Sequence, residues 1–171
     1  MKRNILFKTL IDIAYFYLVP FVIFMPAVII YLLVFPEQQV INTSYVAFKD
    51  LGTIKVSIFI FLFYVEFLLF FKGFHELRSL AKLLLKKKLY TSKTILKLKK
   101  IGWLFTICGI TTGILLIIYI ITVSSYKLNV AFGFTDFQYL LFLIIIGVFF
   151  LILSDAFKKA VQFKEENELT V

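Results

Sequence analysis

The stretch IGWLFTICGITTGILLIIYIITVSSY, residues 101–126, contains 26 consecutive residues without a charge. A helix of this length exceeds the span of a bilayer's hydrocarbon core, which needs about 20 residues. A soluble fold would have to bury this stretch together with the rest of a 171-residue chain that is 61% hydrophobic. Ordinary soluble domains are only about 45–50% apolar. The stretch therefore predicts a membrane-spanning helix.

Three further apolar runs lie on either side of this stretch. Residues 13–35 and 137–154 are uncharged, and a run near 54–71 is interrupted by Glu66. These runs are apolar on every face, unlike the alternating strands of a membrane barrel, so helices are the structure that satisfies their backbone in lipid. The first run is longer than the apolar region of a cleaved signal, and we expect it to remain. We predict an all-α integral membrane four-helix bundle in one domain, with spans near 10–35, 54–72, 101–125 and 137–155.

The basic residues indicate how these spans are oriented. Sixteen of the 19 Lys and Arg residues fall in the N-terminal segment, the connector 73–100 with its flanking Lys72, and the tail 156–171. Cytoplasmic segments of membrane proteins carry such an excess of Lys and Arg. Both termini are therefore predicted to be cytoplasmic. Because the charges flank apolar runs, the net charge of +9 indicates membrane topology, and we expect no direct nucleic-acid binding.

The connector between the second and third spans has an amphipathic pattern. Apolar residues recur there at helical spacing, which predicts that the second span continues past the membrane or bends along its surface. Lysines occupy the remaining faces. Attraction to anionic lipid is one interpretation of this basic face, and docking of an acidic partner is the other. The lipid hypothesis rests on Lys86, Lys87 and Lys88.

The tail repeats this pattern after the fourth span. Ala156, Ala160 and Phe163 share one helical stripe, which predicts an amphipathic extension of the span. Glutamates follow, and negative charge is unfavourable at a helix C-terminus. We therefore expect the helix to end near Asn167 and residues 168–171 to be extended. Such a segment either adds a strand to a partner or frays.

Two acidic residues, Asp12 and Glu66, fall inside the predicted spans. Both belong to the half of the membrane nearer the cytoplasm, where we expect them to be near neighbours. Acids are costly in hydrocarbon and face the bundle interior. One interpretation is an ion- or proton-binding pair. The structural alternatives are a capping box between Thr9 and Asp12, and a bond from Glu66 to a nearby Tyr, Thr or Lys.

The third span also contains two glycines one turn apart, Gly109 and Gly113. Small residues at this spacing let a second helix approach closely, either in the same chain or in a homo-oligomer. The same span holds Cys108, the only cysteine, which excludes an intrachain disulfide. The sequence has no metal-ligand spacing and no catalytic constellation, so we expect a non-enzymatic protein without a cofactor.

Two segments resemble those of a known family. They are LYTSKTILKLKKIGWL, residues 89–104, and LILSDAFKKAVQFKEENELTV, residues 151–171. Both look like hallmark segments of a bacterial membrane family called domain of unknown function 2975. Where that family often has Pro-Phe, this chain has Leu89-Tyr90. The resemblance implies four spans, a basic connector, an acidic tail, and association with small helix-turn-helix regulators. The residues that carry it are Leu96, Leu98, Ile101, Gly102, Trp103, Phe157, Glu165, Glu166, Asn167, Leu169, Thr170 and Val171.

Together these observations lead to two functional hypotheses for a protein of the bacterial inner membrane. The first is an interaction or signalling partner of a small cytoplasmic helix-turn-helix regulator. The second is a small transporter, or an ion- or proton-responsive protein, that uses Asp12 and Glu66. For the first, the predicted contact residues are Phe157, Lys158, Phe163, Glu165, Glu166, Asn167, Leu169, Thr170 and Val171.

Overall fold

The protein consists of four long helices. A computed structural model describes residues 2–34, 53–86, 91–124 and 134–169. The helices are α1 (Lys2–Val34), α2 (Thr53–Leu85), α3 (Ser92–Ser124) and α4 (Phe134–Leu169). Each contains a stretch long and apolar enough to cross a membrane. The predicted all-helical fold with four membrane-spanning helices is confirmed, and the chain is a multi-pass membrane protein.

Contacts between the helices show that each runs antiparallel to the one before it. Asp12 of α1 meets Arg78 of α2, while the carbonyl of Val22 accepts a hydrogen bond from the hydroxyl of Tyr64. As residue numbers rise along α1, those of the α2 residues in contact with it fall. Glu76 and Glu66 of α2 contact α3 in the same descending order, near residues 97–100 and 108–112. The chain thus crosses the apolar layer in alternating directions.

The helices form an open row. Close backbone contacts join α1 to α2, α2 to α3 and α3 to α4. Among the described residues, no other pair of helices has Cα atoms within 8 Å. The first helix is the most exposed, since only 6% of its most apolar window is buried, against 22–28% for the other three. Lipid tails are as apolar as Leu, so a helix loses little by facing them.

Most of the buried apolar residues lie toward one end of the row, which we call the basic end. It is formed by the start of α1, the end of α2, the start of α3 and the end of α4. The Phe105 ring lies there among those of Phe70, Phe74 and Phe150, with centroids 5.9–6.3 Å apart. Leu77, Leu80 and Leu98 of this core lie outside the uncharged runs, and apolar side chains beyond the hydrocarbon must bury one another to avoid water. The buried residues of this core are Ile11, Leu77, Leu80, Ala81, Leu98, Ile101, Phe105, Cys108 and Leu143.

The connector between the second and third spans is mostly a continuation of its two helices. Its apolar stripe is turned toward the core, where Leu77, Leu80 and Ala81 are buried. The start of α3 is capped by the hydroxyl of Thr91, which accepts a hydrogen bond from the backbone N–H of Thr94 at 3.3 Å. Side-chain caps of this kind satisfy amide groups that lack a partner within the helix.

The tail is helical further than we predicted. Helix α4 continues to Leu169 instead of ending near Asn167, so the expected extended conformation is wrong for residues 168 and 169. The unfavourable effect of a terminal carboxylate on the helix dipole is only about 0.3–1 kcal/mol and is screened in water. That is too small to break a helix already propagated from the membrane. Residues 170 and 171 lie outside the described residues.

Candidate functional site

A charged contact joins α1 to α2 at the basic end. The Nε of Arg78 donates to Asp12 at 2.5 Å, and Lys8 lies 3.0 Å from the other carboxylate oxygen of Asp12. The guanidinium of Arg78 also lies over the Tyr15 ring, 4.6 Å from its centroid. Tyr15 in turn is 3.4 Å from His75 through its hydroxyl. Lys8 and Arg78 therefore share one acid, and this contact helps hold the exposed first helix onto its neighbour.

A second charged contact joins α2 to α3 at a similar depth. Glu76 accepts hydrogen bonds from Lys97 at 2.7 Å and from Lys100 at 2.5 Å. It lies beyond Lys72, outside the apolar run of α2. The hydrogen bonds from Lys100 and Lys97 lower the pKa of Glu76 to about 2, because they favour its charged form. These contacts and those of Asp12 form a layer of charge across three helices.

Glu66 is different, because its partners are uncharged. The hydroxyl of Thr112 donates to its Oε1, and the thiol of Cys108 lies 3.8 Å from the same oxygen. Its Oε2 is buried and has no hydrogen-bond partner within the part of the chain that the structure describes. The whole residue is 8% exposed. A buried carboxyl without a cation is most stable in its neutral form.

The two intramembrane acids are not near neighbours, so that prediction is wrong. Asp12 binds α2 at Arg78, which is 12 residues beyond Glu66 and therefore about 18 Å further along the helix. The capping-box interpretation of Asp12 is also wrong. Helix α1 begins at Lys2, and the Thr9 hydroxyl donates to the carbonyl of Ile5 within the helix. Asp12 is an ion-pairing residue, whereas Glu66 lies in the apolar layer against uncharged partners.

The glycines of α3 lie against α4 of the same chain. A Cβ atom placed on Gly109 would come within 2.6 Å of Ile144, and one on Gly113 within 2.9 Å of Leu140. The closest approach is further along, where a Cβ on Gly147 of α4 would lie 2.5 Å from the backbone nitrogen of Thr106. The glycine face is therefore occupied within the chain.

The tail extends α4 beyond the start of α3. The Ser154 hydroxyl donates to the carbonyl of Ile95 at 3.0 Å, only three residues after α3 begins. Because the helices are antiparallel, roughly the last ten residues of α4 project about 15 Å past the start of α3. Phe157 packs against the core, whereas Phe163 is 64% exposed. Lys158, Glu165, Glu166 and Asn167 are exposed on this segment.

Some predicted residues cannot be placed. Lys86 is exposed at the end of α2, but Lys87, Lys88, Thr170 and Val171 lie outside the described residues, as does the side chain of Leu169. Within the described ranges, no group of three or more His, Cys, Asp or Glu residues is arranged to hold a metal ion.

The sequence reasoning missed several residues that carry the contacts. Arg78 was counted only among the basic residues of the connector, and Glu76 was not considered. Their partners lie 21 or more positions away, so a single sequence gives no signal of the pairing. Gly147 was overlooked because it stands alone, without a second small residue one turn away on its own helix. Its close approach to Thr106 and Gly102 of α3 is known only once the two helices are packed together.

Comparison with known proteins gives one match. A family model described as Protein of unknown function (DUF2975) matches residues 9–171. The resemblance carried by the segments at 89–104 and 151–171 is thereby confirmed. No curated protein and no solved structure matches the chain.

Proposed function

The chain belongs to this family of proteins of unknown function, and from that membership we propose that it is a membrane anchor for a small cytoplasmic helix-turn-helix regulator. It resides in a bacterial inner membrane with both termini in the cytoplasm. The regulator binds the projecting end of α4 together with the basic connector. The protein holds or signals to this partner and carries out no reaction itself.

The orientation is supported by the distribution of charge. Sixteen of the 19 Lys and Arg residues belong to segments at one end of the row. The positive-inside rule assigns that end to the cytoplasm. The two ion-pair clusters around Asp12 and Glu76 lie at this end, where water and lipid headgroups can solvate them.

One observation carries the proposed contact: α4 remains helical about 15 Å past the point where its neighbour begins. Most helical stability in proteins comes from packing of an apolar face, and this segment presents an exposed apolar side chain that a partner could cover. Phe163 is such a residue, with 64% of its side chain exposed. Basic residues near 158 and acidic residues near 165 give the segment a polarity that orients a charged partner.

The first test compares partner recovery from the full chain and from a chain ending at Lys164. Crosslinked affinity purification from native membranes should recover a DNA-binding regulator with the full chain and lose it with the truncated one. Equal recovery from both would remove residues 165–171 from the contact.

A matched pair of substitutions distinguishes a contact at the tail from a general effect of removing an exposed apolar side chain. Phe163→Ala should reduce recovery of the regulator, whereas Ile152→Ala should not. Both side chains are 64% exposed on the same helix, but Ile152 belongs to the apolar run. If both variants lose the partner equally, the loss reflects a disturbed helix and the contact is elsewhere.

The second candidate function is a proton- or ion-responsive protein centred on Glu66, favoured by its Oε2, which has no hydrogen-bond partner among the described residues. Glu66→Gln keeps an acceptor for Thr112 but cannot release a proton. It should abolish any pH- or ion-dependent flux in reconstituted vesicles while the protein stays inserted. Asp12→Asn is the control, because Asp12 is already neutralised by two bases. Wild-type flux in Glu66→Gln would exclude this function.

A further inference from the structure

Near the basic end, α2 and α3 carry three exposed side chains that lie within one helical turn of one another in depth. Lys100 of α3 is bonded to Glu76 of α2 and is still half exposed. One turn from Lys100 toward the apolar layer stands Trp103, which is 52% exposed. One turn from Glu76 in the same direction stands Lys72, also exposed. Because the helices are antiparallel, Lys72 and Trp103 reach the same level on neighbouring helices.

Charge at this level is unbalanced. Lys97 and Lys100 bind a single acid, Glu76, while Lys72 and Lys99 lie within about one turn of these residues along the same helices. Lys72 has no acidic side chain within 4 Å among the described residues, whose ion pairs involve other bases. The surface therefore presents net positive charge beside the apolar layer.

An exposed apolar stripe continues from Trp103 into that layer. It follows the helical spacing of four, three and four residues, and its members remain open to lipid. A phospholipid has the same order of parts, with a charged phosphate, a glycerol and carbonyl region, and then hydrocarbon. Tryptophan prefers the middle region. The stripe consists of Trp103, Ile107, Ile110 and Ile114, with exposures of 52%, 42%, 50% and 52%.

We propose that this surface is a binding site for an anionic phospholipid. Lys72 and Lys100 contact the phosphate, Trp103 lies beside the glycerol region, and one acyl chain lies along the isoleucines. Each basic residue near an anionic surface contributes about a fivefold gain in binding. The pair should therefore favour an anionic over a zwitterionic headgroup by about tenfold or more.

The chain carries its own reporter for this site, since Trp103 is its only tryptophan. The full chain is reconstituted in phosphatidylcholine vesicles. A lipid with acyl chains brominated near the glycerol is then added, either phosphatidylglycerol or phosphatidylcholine. Bromine quenches the fluorescence of a nearby tryptophan. Brominated phosphatidylglycerol should reach half-maximal quenching at a severalfold lower mole fraction than brominated phosphatidylcholine. Equal quenching by the two lipids would overturn the proposal.

Variants locate the preference. In the double variant Lys72→Gln/Lys100→Gln, both brominated lipids should quench the Trp103 fluorescence equally. Glu76 keeps its bond to Lys97 in this variant. Lys72→Gln alone, which loses no ion pair, should reduce the preference about fivefold. The control is Lys158→Gln/Lys159→Gln, which removes two exposed charges from α4. An unchanged preference in the first double variant, or an equal loss in the control, would show that the site is not on this surface.

Discussion

The glycine contact between α3 and α4 gives the sharpest prediction for stability. A methyl group at position 147 would meet backbone atoms, the nitrogen of Thr106 at 2.5 Å and the carbonyl oxygen of Gly102 at 2.9 Å. Neither can rotate away, so the two helices must separate. A methyl group at position 113 meets only the Leu140 side chain, whose end atoms can move. The two glycines thus form a matched pair for the same substitution.

Gly147→Ala should therefore destabilise the protein, whereas Gly113→Ala should not. Overpacking costs about 1–3 kcal/mol, partly offset by a gain of about 0.5–1 kcal/mol from replacing glycine inside a helix. For Gly113 the gain remains and the cost is small. The two variants should differ by about 2 kcal/mol in free energy of unfolding, or roughly 30-fold in the equilibrium constant.

Reversible unfolding of the purified chain in mixed detergent micelles, titrated with sodium dodecyl sulfate, measures this difference. Near-ultraviolet absorbance of Trp103 reports the separation of the helices, and far-ultraviolet circular dichroism reports the helix content that remains. Equal unfolding midpoints for the two variants would refute the close-approach reasoning. So would a lower midpoint for Gly113→Ala than for Gly147→Ala.

Two further predictions concern the ends of the helices. Glu76→Gln should lower the free energy of unfolding by about 1–2 kcal/mol, below the range for a fully buried pair because Lys100 is half exposed. Since the pKa of Glu76 is lowered from 4.5 to about 2, the wild-type contribution is present above pH 4.5 and declines as the pH falls toward 2. Unfolding titrations at pH 6 and pH 3 should show the difference between wild type and Glu76→Gln shrinking, and a constant difference would contradict the assigned ion pairs. For topology, a fluorescent protein fused after Val171 should fluoresce, and alkaline phosphatase fused at the same place should be inactive. The reverse result would place the tail outside the cytoplasm.

The fold was predictable because its main signal is local. Uncharged runs of the length of a bilayer require helices whatever their neighbours are, so four spans follow from composition alone. The helix ends were less predictable. The apolar stripe containing Leu77 and Leu80 has the period of a helix whether it lies on a membrane or on α3. Periodicity identifies the face but not the surface that covers it.

The candidate site was only partly predictable for a related reason. The cost of placing Glu66 in hydrocarbon is visible in the sequence, and a threonine was among the partners considered for it. Asp12 was expected beside Glu66 or in a capping box with Thr9, yet Arg78 reaches it from a segment assigned to the connector. Register between antiparallel helices depends on loops and packing, and neither the pairing of Asp12 nor its distance from Glu66 follows from counting along one chain.

The open row has a consequence for how the protein is made. Within the described ranges, each helix after the first packs closely against the one synthesised just before it and against no earlier one, so a helix leaving the translocon finds its partner already in the bilayer. The α1–α2 hairpin has its contacts before α3 emerges, and the glycine-lined docking of α4 comes last. Contacts between consecutive helices close short loops and favour fast assembly. Biogenesis can thus proceed as three successive dockings in the order of translation, without waiting for a distant helix to return.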